Sequence, residues 1–469
     1  MVLSKLAALN SLPPEWPDDL RPAIRHEVAA SQRTLVVLDD DPTGTQTVHD
    51  LPVLTHWSVD VLREELARGT ETFYLLTNSR SLPAQDAQQL NRAIGQNLTL
   101  ASRLAGRAMA VVSRSDSTLR GHFPAEVEAL AAALETPFDG WLIIPCFFEG
   151  GRYTIGNVHY AAEGDQLIPA GETAYAQDAA FGYRASDLTE WVAEKTGGQI
   201  AASAVESISL DEIRRGGPSR VAERLRHVTN GRICIVNAAS YRDLEVLVLG
   251  LLRAEAQGSH FLYRTAASFV QVRAGITPRP LLTPGDLDLP ATGGGLFVVG
   301  SYLARTGDQV SHLLDQPGIV AVEAHVPALL GGGRSQEIAR CAAAIDRALG
   351  ADQSTALYTS RELITGDDAA SSLDVGRRVS ESLVAILHRV TATPRYIVAK
   401  GGITSSDVAT AGLGVHRAWV LGQLLPGVPV WRLGPESRYP GRPYVVFPGN
   451  VGGPDALARI AVDLGVNNG

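Results

Sequence analysis

The chain has 469 residues, 41 Lys and Arg against 50 Asp and Glu, and a formal net charge of −9. Apolar residues make up 45% and charged residues 19%, with mean hydropathy near zero, a globular composition that excludes wholesale disorder. The acidic balance argues against a nucleic-acid partner, whose phosphates need a basic face.

The length fits two or three domains, two large ones being sufficient. No stretch approaches the ~18 continuous apolar residues of a spanning helix, so no membrane partner is expected. Leu12-Pro13-Pro14-Glu15-Trp16-Pro17 interrupts the N-terminus before a secretory pattern can form. Cys146, Cys234 and Cys341 are too scattered for a disulfide framework or a zinc site and read as small buried hydrophobes. A cytoplasmic protein is expected.

In chain order, four apolar, β-branched runs each lead directly into a polar loop. Thr34–Leu38 precedes Asp39-Asp40-Asp41-Pro42-Thr43-Gly44-Thr45, and Phe73–Leu76 precedes Thr77-Asn78-Ser79-Arg80. Ala108–Val112 precedes Ser113-Arg114-Ser115-Asp116-Ser117-Thr118-Leu119-Arg120-Gly121-His122, and Trp141–Ile144 precedes a loop running to Gly151-Arg152. Val59–Arg68 and Ala84–Ala105 read as helices with one apolar face. Continuous apolar strands alternating with such helices predict βαβ units and a parallel sheet covered on both faces.

The segment 275–295 is rich in Pro and Gly and breaks both periodicities. Beyond it the rhythm restarts with Leu296–Val299, Ile319–Val322, Thr355–Tyr358 and Tyr396–Ala399. The expected fold is therefore α/β: two three-layer αβα domains, each with a largely parallel sheet. The expected organisation is an N-terminal extension over 1–33, a first domain over 34–274, a linker over 275–295 and a second domain over 296–469. No internal repeat or low-complexity tract is visible.

In parallel sheets, ligands bind beyond the carboxyl ends of the strands, where these loops fall. Three adjacent carboxylates at Asp39–Asp41 repel one another and must be solvated, paired or metal-bound. A carboxylate there can accept a substrate proton, and the same residues read equally as a tight turn capping the next helix. Hydroxyls, Asp116, Arg114 and Arg120 within ten residues suit a small polyhydroxy anion; an N-cap with exposed Arg is the plainer reading. Arg152 adds a further guanidinium beside the Gly150-Gly151 pair, in what otherwise reads as a surface loop.

In the second half, Lys400-Gly401-Gly402-Ile403-Thr404 follows a strand. Gly300-Ser301 with Thr306, and Pro448-Gly449-Asn450-Val451-Gly452-Gly453, are two further glycine loops. Glycines let backbone amides approach phosphate oxygens. None is a P-loop or a G-x-G-x-x-G fingerprint, and none of the eleven histidines forms a close ligand pair. No G-x-S-x-G elbow supports acyl transfer.

Asp40-Asp41-Pro42-Thr43-Gly44, Asp116-Ser117-Thr118-Leu119-Arg120-Gly121 and Gly151-Arg152 together resemble the N-terminal domain of the four-carbon acid sugar kinase family. Gly300-Ser301, Lys400-Gly401-Gly402-Ile403-Thr404-Ser405 and Pro448-Gly449-Asn450-Val451-Gly452 resemble its nucleotide-binding domain, in the same order, from about residue 34 to about 462. The resemblance implies ATP-dependent phosphorylation of the terminal hydroxyl of a threonate, erythronate or 3-oxo-tetronate type of acid, with transfer in the cleft between the domains. It maps Asp40, Asp41, Thr43, Gly44, Asp116, Ser117, Thr118, Arg120 and Arg152 to the sugar acid. It maps Ser301, Gly401, Gly402, Ile403, Thr404 and Gly449 to ATP, with Lys400 and Gly452 expected beside them.

Many members carry Glu or Asp where this chain has Ile403, so a carboxylate contact to ribose or magnesium is not expected there. Asp41 is the expected base, with Asp40 and Asp116 as the other carboxylates in play, and Arg120 and Arg152 would clamp the substrate carboxylate. Magnesium and the glycine-loop amides, with Lys400, would neutralise the phosphates. The expected ligands are thus a sugar acid, ATP and Mg2+, and a homodimer is compatible with the sequence. A catalytically silent nucleotide-binding regulator, or another αβ enzyme acting on sugar acids, are the alternative classes.

Overall fold

The computed structural model describes residues 2–135, 137–300, 304–360, 369–449 and 451–465. Ser301 and Asn450 lie outside the described residues. The chain divides into two units, Met1–Val48 with His56–Pro278, and His49–Thr55 with Arg279–Gly469.

The strands of the first unit are β1 (Leu3–Ser4) and β2 (Thr34–Asp39); after β3 (Leu51–Leu54), which belongs to the second unit, come β4 (Thr72–Leu76), β5 (Met109–Arg114), β6 (Gly140–Ile144), β7 (Arg152–Ile155), β8 (Val158–Glu163), β9 (Gln166–Pro169), β10 (Glu206–Ile208), β11 (Arg232–Val236) and β12 (Phe261–Thr265). Seven of them form a wholly parallel sheet in the order β10-β11-β6-β12-β5-β2-β4.

The expected strands and both expected helices are present, the second as Ala84–Ala105, closed by Gly106. Burial explains the continuous apolar runs. Leu35, Val36, Val37 and Leu38 of β2 are each at most 3% exposed, and each such side chain contributes about 1.5–3 kcal/mol by leaving water.

A second, antiparallel sheet in this unit, β1-β9-β8-β7, was not expected. Its β7–β8 hairpin turns through Gly156-Asn157, both at positive φ, as a two-residue hairpin requires. Arg152 accordingly stands on β7 and not on a flexible loop. Tyr153, Tyr160 and Leu167 give this sheet its own buried cluster.

The second unit contains β13 (Leu296–Val299), β14 (Ile319–Ala324), β15 (Ser354–Thr359), β16 (Ile397–Lys400), β17 (Arg417–Leu425), β18 (Val428–Leu433) and β19 (Pro443–Phe447). With β3 they run β3-β17-β18-β19-β16-β13-β15-β14. The five strands from β19 to β14 are parallel, and β3, β17 and β18 add an antiparallel arm. Leu282 and Leu287, from the Pro/Gly-rich segment, bury in this unit's core beside Phe297, Val299, Val430 and Phe447.

Candidate active site

β2, β4 and β5 are neighbours in the first unit's sheet, so their C-terminal loops emerge side by side. Backbone hydrogen bonds tie those loops together: Asp40 N to Arg114 O, Thr77 N to Asp39 O, Arg80 N to Asp40 O and Ser115 N to Thr265 O. This brings Asp39, Asp40, Asp41 and Asp116 within reach of Arg80 and Arg114, all of them buried or nearly so.

Arg80 bridges three carboxylates. It hydrogen-bonds Asp41, and Nη1 lies 3.6 Å from Asp116 Oδ1 and 3.9 Å from Asp40 Oδ1. Arg114 Nη1 lies 3.2 Å from Asp39 Oδ1 and 3.8 Å from Asp40 Oδ1. Ser115 Oγ donates to Asp40 Oδ2 at 2.8 Å, while Asp40 Oδ1 is buried with no hydrogen-bond partner. Asp41 caps the turn Pro42–Thr45 by accepting from Thr43 N at 2.8 Å. The capping reading and the proton-acceptor reading of Asp41 are therefore compatible in one side chain.

These surroundings separate Asp39 from Asp41 and Asp116. Burial pushes the Asp39 carboxyl up to about 8, with Arg114 opposing and Asp40 and Asp41 reinforcing the shift. Burial would also raise Asp41, but Arg80, the Thr43 contacts and Arg114 outweigh it and hold that carboxyl below its ordinary value. At Asp116 burial is likewise overcome, by Arg120, Arg80 and Thr118, and the carboxyl is held well below the usual range. The cluster thus carries Asp39 protonated at its base, while Asp41 and Asp116 stay ionised. Gly44 makes the fit possible: a Cβ there would lie 1.9 Å from Asp39 Oδ2, closer than any side chain allows.

The loop carrying Asp116, Ser117, Thr118 and Arg120 is fixed from the antiparallel sheet. His159 Nε2 donates to Ser117 O at 2.7 Å, leaving Nδ1 to accept from the Thr154 hydroxyl at 3.0 Å. Burial lowers the His159 imidazole to about 4, so it remains neutral and keeps this tautomer. Tyr183 Oη donates to Thr118 O at 2.7 Å.

The two expected clamp arginines differ. Arg120 Nε donates to Asp116 at 2.7 Å and Nη1 lies 3.7 Å from Asp178, so its charge is already matched. Arg152 has no carboxylate partner among the described residues, its Nε is buried without a hydrogen bond, and its guanidinium lies 5.3 Å from the Tyr175 ring centre. Arg120 lies 5.4 Å from the same ring.

In the second unit, β16 delivers Lys400, Gly401 and Gly402, and a short helix, Gly402–Asp407, follows. Thr404 is buried against Gly300, whereas Ile403 is 57% exposed. Lys400 is fully buried. Its Nζ donates to Pro448 O at 2.6 Å and Gly449 O at 3.3 Å, and lies 4.1 Å from the Phe447 ring centre. Its Nζ therefore meets the Pro448–Gly449 backbone from inside the unit, where the sequence suggested a direct phosphate contact, and burial pushes the amine down to about 7. Among the described residues no group of three or more His, Cys, Asp or Glu side chains is arranged to hold a metal, and the acidic cluster is matched by guanidiniums. The described residues do not form a protein cage for magnesium.

Sequence reasoning missed Arg80 as a site residue, and it missed Tyr175 and His159. Arg80 was visible only as the end of a polar loop; nothing local said that it would face three acids. The hairpin that carries His159 had a signal, the Gly-Asn pair between two β-branched runs.

Residues 35–273 match a family model described as a sugar-binding N-terminal domain, and residues 296–457 match one described as a nucleotide-binding C-terminal domain. The chain belongs to the four-carbon acid sugar kinase family. The Asp–Arg cluster falls in the family's sugar-binding region, and Lys400, Gly401, Gly402, Ile403, Thr404, Gly449 and Gly452 fall in its nucleotide-binding region. A Haemophilus influenzae protein of the DUF1537 family is similar in fold at 18% identity, with a TM-score of 0.62 and coverage of 92% of this chain and 100% of that one. A Salmonella typhimurium protein described as a candidate tRNA synthase is similar at 16% identity, with a TM-score of 0.65 and coverage of 91% and 98%. No curated protein sequence matches the chain. No helix among the described residues is long and apolar enough to cross a membrane.

Proposed function

We propose that the protein is a kinase that transfers the γ-phosphoryl group of MgATP to the terminal hydroxyl of a four-carbon sugar acid. The observation that carries this reading is the buried cluster of Asp40, Asp41 and Asp116 around Arg80, in the half that matches a sugar-binding domain, on a chain whose other half matches a nucleotide-binding domain.

Phosphoryl transfer needs alignment and charge neutralisation more than covalent chemistry by the protein. Arg152, the clamp arginine with no carboxylate partner among the described residues, takes the substrate carboxylate in a bidentate pair. Asp116, Ser117 and Thr118 offer acceptors and donors for the sugar hydroxyls. Asp41, held ionised by Arg80, accepts the hydrogen bond of the attacking hydroxyl. A carboxylate of lowered basicity takes that proton late, as the new oxygen–phosphorus bond forms and the bond to ADP breaks. The magnesium ion arrives as part of the substrate, on the ATP phosphates.

The test is ADP release, followed by a coupled assay, across a panel of four-carbon acids. ADP release that depends on one acid supports the kinase. ATP binding with no acid-dependent turnover would instead support a silent nucleotide-binding regulator, and the kinase reading would fall.

A further inference from the structure

In the glycine loop, the carbonyls of the described residues Pro448, Gly449, Val451, Gly452 and Gly453 are held from beneath by two fully buried side chains, Lys400 and Gln309. Lys400 Nζ takes the carbonyls of Pro448 and Gly449, at 2.6 and 3.3 Å. Gln309 Nε2 takes those of Val451, Gly452 and Gly453, at 3.1, 3.4 and 2.9 Å. In a trans peptide the C=O of one residue and the N–H of the next point in opposite directions. Drawing the carbonyls of Pro448, Val451 and Gly452 inward therefore turns the amides of Gly449, Gly452 and Gly453 away from the core. Among the described residues these three amides donate no hydrogen bond, and all three residues are at least partly exposed.

The rest of the local sequence supports the same geometry. Val451 packs against the core of the unit and anchors the middle of the loop. Gly452 sits at φ +81°, and a Cβ there would lie 2.6 Å from Ala456 Cβ and 3.3 Å from Gln309 Nε2, so the backbone rests directly on the residues that hold it. A row of outward backbone amides held by buried side-chain donors is an anion cradle.

We propose that Lys400 and Gln309 are the positioning residues of the nucleotide-phosphate site, acting through the loop carbonyls and not by touching the nucleotide. This rests on the reading of the protein as an ATP-using enzyme and deepens it. Lys400 aims the first amide through the Pro448 carbonyl, and Gln309 aims the other two through those of Val451 and Gly452. Neither function requires that the side chain reach solvent, which explains why a lysine and a glutamine are spent at fully buried positions.

The experiment compares ATP with adenosine on the full chain by titration calorimetry, because only ATP has phosphates to place in the cradle. Lys400→Met and Gln309→Leu should each weaken ATP by at least about tenfold while leaving adenosine unchanged. Thermal melts accompany each variant, and Gln309→Leu serves alone if Lys400→Met fails to fold. If both ligands weaken together, or if neither variant alters the ATP-to-adenosine ratio, the positioning role is wrong. If the wild-type chain itself does not bind ATP, the kinase reading fails first, and that outcome is distinct from the other two.

Discussion

Replacing Arg80 with Met tests whether the acidic cluster is held together as described. In the structure Arg80 lies 3.6 Å from Asp116, 3.9 Å from Asp40 and in direct hydrogen-bond contact with Asp41. At an effective dielectric constant of about 20, each such pair is worth roughly 4–5 kcal/mol of gross attraction. The net loss is smaller than that sum, because Asp116 retains Arg120 and Asp40 retains Arg114. Asp41 has no second cation as close, so the variant resembles one broken buried pair, costing about 3–5 kcal/mol. For a unit of this size that corresponds to a fall in melting temperature on the order of 10 °C. The stronger assay is a double-mutant cycle followed by thermal melts. Arg80→Met with Asp41→Asn should be less destabilised than the two single losses summed, by about 1–3 kcal/mol, since the second change removes the charge that the first left unmatched. A melting temperature within about 2 °C of wild type for Arg80→Met, or additive losses in the cycle, would refute the proposed electrostatic role.

Four other perturbations read other parts of the site. Asp41→Asn should lower kcat by roughly 10²–10⁴-fold while ATP affinity by calorimetry is unchanged; near-normal turnover would remove Asp41 as proton acceptor. Arg152→Met should raise the KM for the sugar acid by roughly ten- to hundredfold, with kcat and the KM for ATP little affected, in steady-state kinetics with each substrate varied. Gly44→Ala must displace the Asp39 carboxylate from a contact 1.9 Å away, disturbing its Arg114 hydrogen bond, and should lower both activity and melting temperature; a silent substitution would contradict the packing. Asp39 is an acid whose folded value is raised to about 8, so between about pH 4 and 8 the folded chain holds a proton that the unfolded chain has lost. Its contribution to stability therefore falls as pH rises through that window, by at most about 1.4 kcal/mol per pH unit. Relative to Asp39→Asn, the wild type should lose melting temperature from pH 5 to 8, and a constant difference would count against the assignment.

The legible and illegible parts of this molecule separate on physical grounds. The parallel strands could be read because a strand buried on both faces must be continuously apolar, as Leu35–Leu38 and Phe297–Val299 are. The helix at Ala84–Ala105 was marked at both ends by local residues, Pro83 before it and Gly106 after it. The antiparallel arm in the second unit and the β7–β9 sheet were less visible, because short strands carry little periodic signal and pair with distant partners. The same distinction governs the site. Asp40, Asp41 and Asp116 stand out as adjacent or motif-borne carboxylates, but their partner Arg80 lies 40 residues from Asp40 and 36 from Asp116 in sequence and is brought in only by the neighbouring strand. Arg120 and Arg152 looked equivalent in sequence. Only the positions of Asp116 and Asp178 reveal that one guanidinium is matched and the other is not.

The distribution of charge also explains how an acidic protein can serve anionic ligands. With a net charge of −9, the long-range field is unfavourable to both a sugar acid and a nucleotide. Locally the balance differs. With Asp39 protonated and Asp41 and Asp116 held ionised, Arg80, Arg114 and Arg120 are largely matched by carboxylates of the cluster before any ligand arrives. Arg152 then stands as surplus charge beside it, stacked near Tyr175 where the ring limits its conformations and lowers the entropy lost on pairing with a carboxylate. In the second unit Lys400 is buried under backbone carbonyls, and the proposed positioning role works through the amides opposite them. The Arg152 arrangement places positive potential over a few ångströms only, where desolvation strengthens it and salt screens it least. Recognition in this chain therefore depends on short-range geometry, and loss of one guanidinium or one buried donor should matter far more than a change in the protein's overall charge.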